Sequence, residues 1–368
     1  MNRAASVAVP SFPAPPLVAA LAGAILLVAH AYAGGGPWLP SYAFAWLFLL
    51  GLSLGAMILA ALHDLTGGGW GVAARPALVA ALAAFPVLAV LALPLALRPA
   101  GVLPWWGSAP LGQAWYLNEG SFAARALVYF AIWVLLAWLL RRPARSAGLA
   151  AIAFPLLALT TTFSAIDWMM SLSPEWHSTA FGLLCASGQT CAALCLAILA
   201  VAPGAGANHP QLRERLHDLG NLLLALILVW AYLEYMQFLI IWIEDLPDET
   251  GWYRERISAG WAAWAAAGFL LHFALPLPLL LWRRVKRSSR ALGAVAVLVL
   301  SGCAIDVYWT VVPAFRAGSA VPRWSDLFAL MAIGGCWLGW AMRSGPAMAR
   351  HERPVLEEAG AGAGHGAR

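Results

Sequence analysis

The sequence predicts an all-α, polytopic membrane protein of about ten transmembrane helices, with almost no water-soluble domain. Of its 368 residues 62 % are hydrophobic and only 11 % charged, and the mean hydropathy is +0.76. A soluble domain needs a charged surface that this composition does not provide. The apolar residues also fall into runs close to the roughly 20 residues that cross a hydrocarbon core of about 30 Å.

The runs lie at 15–33, 42–62, 76–97, 122–140, 147–169, 178–202, 219–243, 259–282, 291–312 and 325–342. The first imitates a cleavable signal peptide through Arg3, its apolar core and Ala31-Tyr32-Ala33. About fifteen residues with four prolines precede that core, which favours a retained helix. The second to fifth runs and the sixth to ninth are long enough to span. Their connections are short apart from 98–121, 203–218 and 244–258. The sixth run carries Cys185, Cys191 and Cys195, the ninth Cys303 and the tenth Cys336. No spacing among them suits zinc, haem or an iron–sulfur cluster, so they read as small buried hydrophobes. The transmembrane domain is expected over 1–343, and 344–368, rich in Gly, Ala, Arg and Glu, as a disordered cytoplasmic tail.

Charge gives the orientation. The net charge of +5 comes from 22 Lys and Arg scattered between apolar runs, a pattern that excludes a nucleic-acid surface. Arg98, Arg254, Arg256, Arg316 and Arg323 fall on one side and Arg125 inside a span, which leaves sixteen on the other side. Basic residues collect on the cytoplasmic side, so both termini are expected there, in a bacterial inner membrane. The 20 tryptophans, several in the 98–121 and 244–258 loops, read mostly as an interfacial belt.

Polar groups inside the spans carry the functional signal, because an ionised side chain in hydrocarbon costs about 2.5 kcal/mol or more. The seventh span has Glu234 near its middle, Gln237 one turn on, and Glu244 two further turns outward. His272 is near the middle of the eighth span. Asp306 is about 22 Å along the ninth at 1.5 Å per residue. Together they resemble a hydrophilic track suited to proton exchange, with interhelical bracing as the simpler alternative. Thr160 and Ser164 in the fifth span fit bracing better; Glu234 and His272, deep and titratable, fit proton chemistry better. Asp167 closes the fifth span, where the helix dipole disfavours an anion, so a cation should stand beside it. Arg125, at the same level on the antiparallel fourth span, is the expected partner.

No phosphate loop, nucleophile elbow or HExxH motif is present, and no helix carries a spaced histidine pair for haem. No catalytic residue and no metal site is therefore assigned. On residue chemistry alone the chain is a polar-lined helical bundle, either a transporter or a respiratory subunit.

Several stretches resemble a known family. Ser53-Leu-Gly-Ala-Met with His63-Asp-Leu-Thr-Gly-Gly-Gly-Trp70, Ala165-Ile-Asp-Trp-Met-Met-Ser-Leu-Ser-Pro-Glu-Trp-His-Ser-Thr179, Leu219-Gly-Asn-Leu-Leu through Gln237-Phe-Leu-Ile-Ile-Trp, and His272-Phe-Ala-Leu-Pro followed by the basic run 283–287 look like the F subunit of alternative complex III. That complex is a bacterial quinol:cytochrome c oxidoreductase, and its F subunit belongs to the NrfD/polysulfide-reductase membrane-anchor family. The resemblance covers about residues 42–313. It implies two four-helix bundles, about 42–170 and 178–313, flanked by the first and last spans. It also implies partners: an iron–sulfur protein, a multihaem cytochrome c, an NrfD-like C subunit and a terminal oxidase. By the same token Glu234, His272, Asp306, Gln237 and Glu244 map onto a proton path. Arg125 and Asp167 are either a contact for quinol or quinone or a structural pair. Two other classes stay open, a quinol-oxidising anchor of a molybdenum reductase and a secondary transporter. A transporter calls for helices broken at matching positions, and Pro276 and Pro278 interrupt only the eighth span of the pair it forms with the fourth.

Overall fold

The computed structural model describes residues 15–108, 112–142, 146–204, 210–316 and 318–362. Ten helical spans of membrane length run through them, in the ten places the apolar runs predict. The chain is a multi-pass α-helical membrane protein.

In chain order these are α1 (Pro15–Tyr32), α2 (Leu39–Thr66) and a third span built from α3 (Gly69–Leu82), α4 (Phe85–Leu91) and α5 (Leu93–Leu97). Pro86 and Pro94 open the last two pieces, because a ring without an N–H suits the first turn of a helix and not its interior. The fourth and fifth spans are α6 (Glu119–Leu140) and α7 (Ala147–Trp168), the sixth α8 (Phe181–Val201) and the seventh α9 (Pro210–Glu244). A short α10 (Pro247–Ile257) leads to the eighth span, which is α11 (Trp261–Phe269), a π-helical turn at Leu270–Ala274 and α12 (Pro276–Leu281). Then α13 (Arg283–Arg287) turns into α14 (Ser289–Val311), and α15 (Trp324–Gly362) ends the described chain. Side-chain caps start three of these helices. Asn118 accepts from the Ser121 N–H at 2.8 Å, Ser146 from Leu149 at 3.1 Å and Ser288 from Ala291 at 3.3 Å, each worth ~1 kcal/mol.

The spans α2 to α7, called the first bundle below, and α8 to α14, the second, meet where α2 packs on α8, and α8 also lies against α3 and α7. Lipid provides no hydrophobic drive between helices, so close backbone approach has to do the work. A Cβ on Gly55 would collide with the backbone of Gln189, which is why α2 and α8 meet at a residue without one. α2 is the central helix, with 83 % of its apolar stretch buried against 17 % for α1. α1 instead pairs along its length with α15, and α15 leans on α2 and α3. A polar clamp holds the start of α15: Arg316 donates two hydrogen bonds to Asp326, at 2.8 and 2.9 Å, and Ser41 and Tyr308 donate to the same carboxylate.

Three expectations need correction. Residues 344–362, expected to be a disordered tail, continue α15 as helix, in keeping with the helix-favouring Ala, Met, Glu and Leu there; 363–368 lie outside the described residues. The loops expected at 203–218 and 244–258 are partly helical, because α9 begins at Pro210 and α10 fills 247–257. The tryptophans form less of a belt than expected. Trp46, Trp133, Trp230 and Trp337 are buried in mid-span, and three of these hydrogen-bond inside the bundle, Trp46 to the Leu88 carbonyl, Trp133 to Thr160 and Trp337 to Ser53. A ring N–H that finds an internal acceptor has no need of the headgroup layer.

Candidate functional site

The prolines of the eighth span set the site. Pro276 and Pro278 cannot donate to the preceding turn, and the backbone widens so that the Leu275 N–H bonds to the Leu270 carbonyl at 3.0 Å, five residues back. His272 sits in that widened turn. On the facing helix Gly302 leaves room, since a Cβ there would strike the His272 backbone.

The His272 ring is fully buried and held on three sides. Its Nδ1 donates to Asp306 of α14, and its face stacks on Trp230 of α9 with centroids 3.8 Å apart and planes 21° from parallel. Its Nε2 is 3.5 Å from the Cys303 sulfur. An ionised carboxylate only accepts, so Asp306 fixes the proton on Nδ1 and leaves Nε2 to accept from the Cys303 thiol. Cys303 and Asp306 are three residues apart on α14 and so share one helix face.

Asp306 also faces a cavity of about 130 Å³ between the two bundles. Glu234 lines it from α9, Gln189 and Cys185 from α8, and Trp309 and Thr310 from α14, while the remaining walls are apolar or aromatic. Such a volume is large enough for several waters. Among the described residues no side chain hydrogen-bonds or ion-pairs with Glu234. One turn toward the tryptophan-rich end, buried Gln237 accepts from Ser178 at 2.8 Å and donates to the Tyr253 hydroxyl of α10 at 3.4 Å. Burial first, and the Glu234 carboxylate second, push the Tyr253 phenol up, so it remains a proton donor. The arrangement can pass a proton between two carboxyls through water, with an imidazole attached to one of them and an amide–phenol pair above the other.

The structure thus brings Glu234, Asp306 and His272 to one place: Asp306 shares the cavity with Glu234 and is bonded to His272. Gln237 adjoins them. Glu244 does not belong: it is exposed at the end of α9, ten residues or about 15 Å from Glu234 along the helix.

Arg125 and Asp167 form a two-pronged ion pair in the first bundle, Nε to Oδ2 at 2.9 Å and a terminal nitrogen to Oδ1 at 2.8 Å. Tyr129 donates to the same carboxylate at 2.7 Å. Arg125 also donates to the Tyr116 carbonyl and stacks over the Tyr116 ring at 3.8 Å. Around them Trp46, Phe85, Phe130, Trp133 and Trp168 fill the bundle with ring-to-ring contacts. Thr160 and Ser164 bond within their own helix, and Thr160 also accepts from Trp133.

Cys303, Trp230, Gln189 and Tyr253 are site residues that the sequence reading does not single out. Only the three-residue spacing of Cys303 and Asp306 could have pointed to one of them. The buried Arg256 is another. It donates to the Trp252 and Thr310 carbonyls and stacks on the Trp252 ring, next to the cavity wall.

Fold and site define a class: a multi-pass helical membrane protein with ten spans among the described residues and a cavity lined by two carboxyls, one of them bonded to a buried imidazole. Neither a known protein-family model nor a curated protein matches the chain, so the resemblance to the alternative complex III subunit rests on the residue stretches quoted above.

Proposed function

We propose that this chain is an integral membrane subunit of a bacterial quinol:cytochrome c oxidoreductase of the alternative complex III kind, and that its second bundle moves protons. The observation that carries the proton reading is the cavity shared by Glu234 and Asp306, with His272 bonded to Asp306. Carboxyls in a membrane interior are costly, and they persist where they handle charge. In this reading a proton on Glu234 passes through cavity water to Asp306. The Nδ1–H bond of His272 steadies Asp306 while it is ionised and weakens when it takes the proton. Gln237 and Tyr253 lead from Glu234 toward the tryptophan-rich end, which the bias of basic residues makes the outer one. The partners in this reading are the iron–sulfur protein, the multihaem cytochrome c and the C subunit.

Arg125 and Asp167 support a structural role. The carboxylate already accepts from two guanidinium nitrogens and a phenol, and aromatic rings fill the space beside it, so the pair does not fit a quinol head. No step through quinol is assigned to this chain. The transporter reading lacks its matched break, since α6, the counterpart of the interrupted eighth span, runs unbroken from Glu119 to Leu140. Reconstitution of the purified complex in liposomes with a pH-sensitive dye tests the proposal: quinol oxidation should move protons, and Glu234→Gln should stop that movement without dispersing the complex. A purified assembly lacking a multihaem cytochrome would overturn the choice of complex.

A further inference from the structure

The seventh and eighth spans converge at one end and part at the other. α9 packs on the π-helical turn, on α12 and above all on α13, whereas α11 packs on α14 and α10. The parted ends face each other across the cavity, with Trp230 and Glu234 on the α9 side and Ala265 and Phe269 on the α11 side. Phe269 is 51 % exposed at the outer surface of the bundle, at a depth where the surroundings are lipid. Its neighbours Ala262, Ala266 and Leu270 are exposed as well.

We propose that α9 and α11 frame a side opening from the bilayer to Glu234, and that Glu234 is a modification site for uncharged, lipid-soluble carbodiimides. Three features of the cavity converge on it. Beside Glu234 the opening is framed by Trp230, Ala265 and Phe269, so a neutral hydrophobic molecule is not penalised on the way in. The volume approaches that of a cavity which holds a benzene ring, about 150 Å³. And no cation stands within ion-pair distance of Glu234 among the described residues, so nothing there holds it ionised, whereas Asp306 is engaged by His272.

The chemistry balances without a leaving group. The protonated carboxyl adds across one C=N bond of the carbodiimide: a C–O bond forms between the Glu234 oxygen and the central carbon, the C=N π bond breaks, and the carboxyl proton ends on nitrogen. Migration of the acyl group from oxygen to the other nitrogen then gives a stable N-acylurea that mass spectrometry can locate.

Labelling depends on the cavity's geometry and not on the proton relay, and is read as a mass on a peptide without turnover, so it can fail separately from the proposed proton movement. The test treats the full chain in its membrane with dicyclohexylcarbodiimide, and in parallel with a cationic, water-soluble carbodiimide. Dicyclohexylcarbodiimide should label Glu234 and leave Asp306 unlabelled, and the water-soluble reagent should label neither. Ala265→Phe should slow the labelling by about tenfold by crowding the opening, and Phe269→Ala should speed it. The opposite signs separate an effect on the opening from general damage to the fold. Absence of label on Glu234, equal labelling by the water-soluble reagent, or indifference to both substitutions would each overturn the side opening.

Discussion

His272 and Asp306 are joined by a hydrogen bond from the imidazole Nδ1 to a carboxylate oxygen, and they meet because a proline-widened turn on one helix faces a glycine on the other. The bond should stabilise as well as orient. Asp306→Ala leaves a buried N–H without an acceptor, a loss of about 1–3 kcal/mol, whereas Asp306→Asn keeps an acceptor and costs less. Thermal melts of the solubilised chain, followed by tryptophan fluorescence, should rank wild type, Asn and Ala in that order; equal midpoints for Asn and Ala would remove the bond from the stability of the bundle.

Cys303 holds the other ring nitrogen of His272. Serine in its place keeps a donor to Nε2, while alanine leaves that nitrogen without one. Cys303→Ala should slow proton movement by about fivefold, the factor that ~1 kcal/mol of hydrogen bonding sets. Cys303→Ser should restore most of it. A serine variant as slow as the alanine one would show that sulfur packing, and not donation, matters at this position.

The Arg125–Asp167 pair should behave as buried ion pairs do. Removing one partner strands the other, so Asp167→Asn or Arg125→Gln alone should cost about 3–5 kcal/mol, and the double variant distinctly less than the sum. A double-mutant cycle on detergent-solubilised protein measures the coupling. Additive losses would show that the two side chains contribute independently.

All ten spans were legible from apolar run length alone, because the bilayer imposes a length on anything that crosses it. The pairing of Arg125 with Asp167 was legible for a related reason: a carboxylate at a helix C-terminus calls for a cation, and a short connection makes the two helices neighbours. The cavity was not. Glu234, His272 and Asp306 could be read as polar and deep, but which of them touch depends on the widened turn around His272 and on the splay of α9 from α11. Those follow from packing, which no period in the sequence records. The Arg316–Asp326–Ser41 clamp was missed because its arginine sat in a loop and its aspartate at a helix start, where charges are ordinary.

Orientation rests on the distribution of basic residues and is open to a direct check. Single cysteines at positions 142 and 250, in a background lacking the five native ones, should differ in their reaction with an impermeant maleimide added to intact cells. Only the one at 250 should react, since positive charge marks the cytoplasmic side. Labelling of position 142 alone would invert the molecule.

The decisive substitution is Glu234→Gln. The carboxyl lines the cavity and has no hydrogen-bonding or ionic partner among the described residues, so glutamine keeps the shape of the side chain and removes only its ability to give up a proton. A bracing residue would have partners to lose, and a change there should show first in assembly and melting. Glu234→Gln should therefore assemble and melt as wild type does, to within about 1 kcal/mol. Proton movement should fall by about a hundredfold or more, as expected when a positioned proton-transfer group is removed. Quinol oxidation should either fall with it, if transfer is obligatory, or continue without proton movement. Proteoliposomes with a trapped pH-sensitive dye separate these outcomes. Wild-type proton stoichiometry and rate in the variant would remove Glu234 from any relay and leave α9 a helix that merely borders a wet cavity.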